Sequence, residues 1–177
     1  TGASGGGGVA ATQIGQAMNH RVIALSRSRS KSETLRSLGA EITLDPTSPD
    51  WHKQLIKQLG GRKVDLAIDN IAGAGFSQLL DVMNVNGRVS CVGRLAGVVP
   101  EFNTASLFFR RLQIRGVAVG AYTPGESAAA WMNVVQVLGP AGPIVDKVFD
   151  SDQLPAAFER LAAGPMGKVL LRVKQDA

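Results

Sequence analysis

The stretch TGASGGGGVAATQIG, Thr1 to Gly15, sets a run of four glycines directly before apolar residues at helical spacing. A glycine-rich turn this tight joins a buried strand to a helix. Its missing side chains let backbone come close to a phosphate, while the first helical amides and the positive end of the helix dipole face the charge. The strand that should feed the turn would end near Thr1 and does not precede it. The expectation is that the chain is the remainder of a longer polypeptide, because losing a central strand leaves two neighbours with unpaired backbone groups.

Downstream lie apolar runs of strand length: Arg21 to Ser26, Glu41 to Asp45, Val64 to Asn70, Arg88 to Gly93 and Leu112 to Val119. Their Val/Ile/Leu content alternates poorly, the pattern of strands covered on both faces, so a parallel sheet is expected. Between them, Val9 to Asn19, Ser32 to Leu38, Asp50 to Leu59 and Phe76 to Met83 carry apolar residues three and four apart. Gly39 and Gly60 stand where two of these helices should stop. Glu126 to Leu138 and Leu154 to Ala163 read as later helices, and Gly167 to Val173 as a last strand. Strand and helix in alternation predict an α/β, doubly wound (Rossmann) fold with helices on both faces. Residues 1–150 are expected to form the nucleotide-binding domain, and 151–177 a helix and strand returning toward a catalytic domain outside this chain.

A chain of 177 residues that is 45% hydrophobic suits one such domain. The net charge of +5 is scattered except for RSRSK at Arg27 to Lys31, so a local anion site explains it better than a nucleic-acid surface. A single cysteine, Cys91, leaves no disulfide framework and no cysteine-rich zinc site, and points to a reducing, cytoplasmic setting. No apolar run approaches the ~20 residues of a membrane span.

Three glycine motifs compete for the opening. A Walker loop needs Gly-Lys-Ser or Gly-Lys-Thr, and Val9-Ala10 follows instead. Thr1, Gly2, Gly6 and Gly8 fit T-G-x-x-x-G-x-G, which resembles the short-chain dehydrogenases, as does NIAG at Asn70 to Gly73. Their chemistry requires Tyr-x-x-x-Lys, and the single tyrosine, Tyr122, is followed four residues later by Glu126. Gly2, Gly5 and Gly8 fit [GA]-x-x-G-x-x-G, and here GASGGGGVAATQIGQA resembles the zinc-independent quinone and enone reductases of the medium-chain dehydrogenase/reductase superfamily. The resemblance continues through LRSLGAE, VDLAIDNIAG for V-D-x-x-x-D-x-x-G, NGRVSCVG for G-G-x-x-V-x-x-G, LQIRGVAVG and GKVLLRV, in order along the chain. It implies a cofactor domain whose catalytic, barrel-bearing partner lies N-terminal to it. One departure is Gly7, where these proteins have valine; it should loosen the turn.

The residues past the second strand choose a cofactor. An NAD site presents a carboxylate there for the ribose 2′-hydroxyl, whereas this chain reads Ser26-Arg27-Ser28-Arg29-Ser30-Lys31. Guanidinium groups and hydroxyls suit a 2′-phosphate, so NADP(H) is expected; the alternative is a solvated basic turn. Ser4, Gly5, Gly6, Gly7, Gly8 and the amide of Val9 are expected at the pyrophosphate. Asn70, matched by resemblance to an asparagine beside the cofactor, either lies there or caps the helix after Gly75. Val92, Gly93 and Arg94 end a strand on the same edge, their backbone toward a ribose and Arg94 toward solvent. Pro46 replaces a tyrosine that helps hold the 2′-phosphate in relatives, and Lys31 is expected to replace part of that contact.

His20 and His52 are too isolated for a metal pair, and no metal site is expected here. Cys91, Trp51 and Trp131 read as packing residues, and Lys168 as structural. The resemblance implies hydride transfer from NADPH to a quinone or α,β-unsaturated carbonyl, by an enzyme that dimerises through the family's sixth strand, here Leu112 to Val119, and binds neither nucleic acid nor membrane. The rivals are a zinc-dependent alcohol dehydrogenase with ligands in the other domain, a non-catalytic NADPH-binding module, and an enoyl reductase segment of a polyketide synthase.

Overall fold

A computed structural model describes residues 1–99 and 101–173. Among the described residues, seven strands, β1 (Val22–Leu25), β2 (Ala40–Leu44), β3 (Val64–Asp69), β4 (Met83–Cys91), β5 (Gln113–Gly116), β6 (Val145–Asp150) and β7 (Lys168–Arg172), alternate with seven α-helices. The helices are α1 (Gly6–Ala17), α2 (Ser32–Ser37), α3 (Trp51–Gln58), α4 (Phe76–Asp81), α5 (Ala105–Arg110), α6 (Pro124–Leu138) and α7 (Leu154–Ala162). Every strand pairing is parallel: β1 with β2, β3 with β4 and β4 with β5, β6 with β7. The α/β alternation read from the sequence therefore holds.

Thr1 to Ala3 lie between the β1–β2 ladder and the β3–β4–β5 ladder. The Ala3 amide donates to Leu25 O at 3.0 Å, and on the other side the Thr1 nitrogen donates to Ile68 O at 2.7 Å. The glycine turn thus leaves from the middle of the sheet, at the carboxyl ends of β1 and β3. Trp51, Leu55, Leu80, Met83 and Val89, each at most 2% exposed, fill the core between α3, α4 and the sheet. Burying each is worth roughly 1.5–3 kcal/mol, which fixes the level of the edge above them. Trp51 also donates from its indole to Gln78 at 2.6 Å. Trp131 differs from expectation: it is 66% exposed on α6, whose contacts run to α1. His52 is half-buried, edge-on to Trp51.

β4 begins at Met83, well before Arg88, because a bulge hides its start. Asn86 sits at φ 62°, and a side chain at Gly87 would come within 2.9 Å of Asn84 O, so the alternation breaks there. Two elements had no expectation: α5, a six-residue helix without a side-chain cap, and β6, whose VDKVFD mixes charge into a half-exposed strand. β6 pairs with β7, and α7 packs on both, so residue 150 falls within one β–α–β unit. That unit reaches the glycine turn through a parallel bridge between Gly5 and Gly167. Tyr122 and Glu126 have a structural setting: Glu126 forms a capping box with Thr123 at the start of α6.

Candidate functional site

The glycine turn is shaped by two close approaches. Gly2, at φ +61°, accepts from the Gly5 amide at 3.1 Å, and a Cβ on Gly8 would lie 2.4 Å from Gly2 O and 2.5 Å from Ala3 Cα. Gly8 therefore sets how closely α1 packs on the strand end. Gly5 caps α1 without a side chain to offer, and the first turn contains no acidic residue. The amides of Gly6, Gly7 and Gly8 are consequently those a helix start leaves for an outside acceptor. Val9 is different from expectation: its amide donates to Gly5 O at 2.9 Å and its side chain is 2% exposed, so it belongs to the helix and the core.

A cation lies against this helix start. A Cβ on Gly6 would be 2.6 Å from Lys168 Cδ and Cε and 2.8 Å from Nζ, so the Lys168 side chain runs across the first turn of α1. An ammonium beside the positive end of a helix dipole is electrostatically unfavourable until an anion joins it. The structural role expected for Lys168 gives it no place at the turn, and only the tertiary fold brings it there. The link is made by Gly167, whose amide donates to Ser4 O at 2.9 Å.

The basic turn stands beside the glycine turn. Ser26, 8% exposed, donates its amide to Leu44 O and its hydroxyl to Ser4 Oγ at 3.5 Å, and accepts from the Ser28 amide at 3.3 Å. The Ser28 and Ser30 hydroxyls are 3.0 Å apart. Arg27 and Arg29 are exposed, and no hydrogen-bond acceptor among the described residues takes either guanidinium. Asp45, at the exit of β2, has its oxygen occupied by the Thr47 amide and hydroxyl, and those bonds hold its carboxyl below the usual range, with the field of Arg27 adding to them. Lys31, expected to join this cluster, turns away from it: its ammonium donates to Gly164 O and, at 3.1 Å, to Pro165 O. Backbone carbonyls at the end of α7 offered it a nearer acceptor.

On the far side, Asn70 is tied to the turn rather than to the helix after Gly75. Its Nδ2 donates to Thr1 O at 2.9 Å and its amide to Thr1 Oγ1 at 3.0 Å, and its Oδ1 would lie 3.3 Å from a Cβ on Gly7. Asp69, 2% exposed, accepts from Thr1 Oγ1 at 2.5 Å and from the amides of Ile71 and Ala72. It shapes the loop and is not free for a ligand. Counted from Asp69, the glycine of V-D-x-x-x-D-x-x-G falls on Ala72, which holds φ 55° and ψ −141°, backbone normally reserved for glycine. The Val92 and Gly93 amides both donate to Asp69 O, and a Cβ on Gly93 would lie 2.8 Å from Asn70 O. Val92 and Arg94 remain exposed at the rim.

Ser4, Gly5, Gly6, Gly7, Gly8, Ser26, Arg27, Ser28, Arg29, Asn70, Val92, Gly93 and Arg94 thus share one sheet edge, joined there by Lys168. The edge combines helix-start amides, four cations from three segments and hydroxyl donors. Its glycine gaps match an extended phosphate-bearing ligand, and the groups present fit a dinucleotide. Cys91, at the end of β4, packs against the core, and burial raises its thiol pKa. Among the described residues no cluster of histidine, cysteine or carboxylate could hold a metal ion, and no helix is long and apolar enough to cross a membrane.

Comparison with known proteins agrees with this geometry. The quinone oxidoreductase of Sus scrofa is 26% identical over 174 residues, which cover 96% of this chain and 52% of that protein. A solved NAD-dependent alcohol dehydrogenase superposes with a TM-score of 0.81 at 27% identity, over 94% of this chain and 48% of its own. YhdH of E. coli K-12, solved with bound NADPH, shares the fold with a TM-score of 0.80 at 23% identity, over 97% of this chain and 53% of its own. The chain spans about half the length of the relatives it matches. Residues 6–138 match the zinc-binding dehydrogenase family. The chain belongs to that family, as a cofactor-binding domain of the medium-chain dehydrogenase/reductase superfamily.

Proposed function

We propose that this chain binds NADP(H) and that the enzyme it serves transfers hydride to a quinone or an α,β-unsaturated carbonyl. The observation that carries the cofactor is the basic turn. Where an NAD site places a carboxylate, Arg27 and Arg29 offer guanidinium donors with no acceptor of their own among the described residues, beside the Ser28 hydroxyl, which meets that of Ser30. Gly6, Gly7 and Gly8 amides with Lys168 would hold the pyrophosphate, and Asn70 with the Val92 to Arg94 rim would border the nicotinamide half. When bound, the cofactor supplies the hydride; the protein's part is to fix its face against the acceptor. Asp69 serves that positioning, because its bonds hold the loop that carries Asn70.

The acceptor class rests on similarity to quinone oxidoreductases. A pair of experiments tests the reading: fluorescence titration with NADPH and NADH, then a turnover screen with quinones and enals. Arg27→Glu/Arg29→Glu should weaken NADPH at least tenfold and spare NADH; unchanged NADPH affinity refutes the assignment. This chain alone is expected to be inactive, so the screen is read on the enzyme that contains it, where NADPH binding without turnover favours a non-catalytic module instead.

A second reading is a zinc-dependent alcohol dehydrogenase, favoured by the family's description and by the NAD-dependent structural neighbour. Its metal ligands would lie outside the described residues, and stoichiometric zinc in the active enzyme decides for it. Dimerisation is proposed through β5, a strand paired with β4 on one side and exposed along its length. Sedimentation of an Ile114→Lys variant tests this, since a monomer is the expected product. A cytoplasmic location is proposed from cysteine usage alone, and redox-sensitive labelling in cells would check it.

A further inference from the structure

Lys31 sits in the basic turn yet does not face the same way as its neighbours. Its ammonium holds the carbonyls of Gly164 and Pro165, where α7 ends and the chain turns toward β7. Both carbonyls lie just past Ala163, the C-cap of α7, in the turn that leads toward β7. The same short segment is gripped at successive points. Asp146 of β6 accepts from the Met166 amide at 3.0 Å while it is itself held by a two-bond fork from Arg160 at 2.5 and 2.6 Å. The Gly167 amide donates to Ser4 O and the Lys168 amide to Ile144 O, both at 2.9 Å. A Cβ on Gly167 would lie 2.2 Å from Ile144 O, so this strap is pressed flat with no room for a side chain.

The strap Gly164 to Lys168 therefore connects the two turns of the site. One end is fixed by Lys31 and the other delivers Lys168 across Gly6. We propose that Lys31 is a positioning residue: by clamping the strap it places Lys168 at the start of α1, and so supports binding of the dinucleotide pyrophosphate without selecting for the 2′-phosphate. This rests on the proposed dinucleotide site, but assigns Lys31 to a different task from Arg27 and Arg29. A ligand of the 2′-phosphate acts on NADPH alone, because NADH lacks that group. A clamp acts on both cofactors alike, because both carry the pyrophosphate that Lys168 would meet.

The test is titration of the full chain with NADPH and with NADH in wild type, Lys31→Met and Lys31→Arg. Losing a charge-assisted hydrogen bond at one remove should weaken both cofactors by a similar factor, roughly three- to tenfold, and arginine should restore most of it. In a Lys168→Met background, Lys31→Met should add little. Loss of NADPH affinity with NADH untouched overturns the proposal. Hydrogen exchange without nucleotide gives a second arm: Lys31→Met should quicken exchange at the Met166, Gly167 and Lys168 amides, and unchanged protection also overturns it. If wild type binds neither cofactor, the dinucleotide reading fails, while the exchange result still decides whether Lys31 clamps the strap.

Discussion

Adjacent glycines in the turn should respond to alanine with opposite signs. At Gly8 the new methyl would lie 2.4 Å from Gly2 O, 2.5 Å from Ala3 Cα and 2.8 Å from Ala3 C, all backbone atoms that cannot rotate away. Real Cβ atoms stay beyond 3.0 Å of such neighbours, so the helix start must move out by about half an ångström or more. Overpacking of this kind costs about 1–3 kcal/mol. Alanine's better helix propensity returns up to about 1 kcal/mol, leaving a net loss of up to about 2 kcal/mol and near 1 kcal/mol at mid-range. For a chain of this size the mid-range loss is a fall in Tm of roughly 2–4 °C. At Gly7 the methyl would meet the Asn70 Oδ1 alone, at 3.3 Å, and a side-chain amide can shift by the few tenths required. Gly7→Ala should therefore keep the propensity gain, about 0.5–1 kcal/mol. Urea and thermal unfolding followed by circular dichroism measure both. A Gly8→Ala protein as stable as wild type, or a Gly7→Ala loss of similar size, refutes the packing account of the turn. It would also remove the reason for placing the pyrophosphate on those amides.

Ala72→Gly should raise the urea midpoint by an amount equivalent to about 1 kcal/mol, since φ 55° with ψ −141° strains alanine and suits glycine; an unchanged midpoint would mean the loop relaxes that strain elsewhere. Asp146 has its pKa lowered from 3.8 to about 2, first by the Arg160 fork and then by the Met166 amide. A depressed carboxylate stabilises the fold above its unfolded pKa and loses that contribution as pH falls toward the folded value. The stability gap between wild type and Asp146→Asn should accordingly be full at neutral pH and close between about pH 4 and pH 2, as read by unfolding midpoints across that range; a gap independent of pH would count against the ion pair.

Local signals carried most of the fold. β1, β2 and β3 lie within a residue or two of their apolar runs, and α2 and α3 stop at the glycines that mark their ends, because burial and capping act over a few neighbouring residues. β4 was misplaced because a bulge breaks alternation where Asn86 adopts positive φ. Trp131 was misread for a different reason: spacing identifies the apolar side of α6 but carries no information about what lies against it.

The candidate site divides along the same line. Ser26 to Arg29 and Gly5 to Gly8 are legible because each turn is a local composition with one physical use, and the two prove to be in contact through Ser26 and Ser4. Lys31 and Lys168 are not legible, and for complementary reasons. Lys31 lies inside the basic cluster, so composition assigns it to the cluster's ligand, yet its acceptors come from the end of α7. Lys168 lies far along the chain in a strand, so composition assigns it to nothing, yet Gly167 hydrogen-bonds the glycine turn and lays the lysine across it. Both errors have one source, the return of β7 to the start of α1. A cation's role here follows from the acceptor that the tertiary fold brings to it, so the strap that exchanges these two lysines between expected roles is the element whose loss should alter the site most.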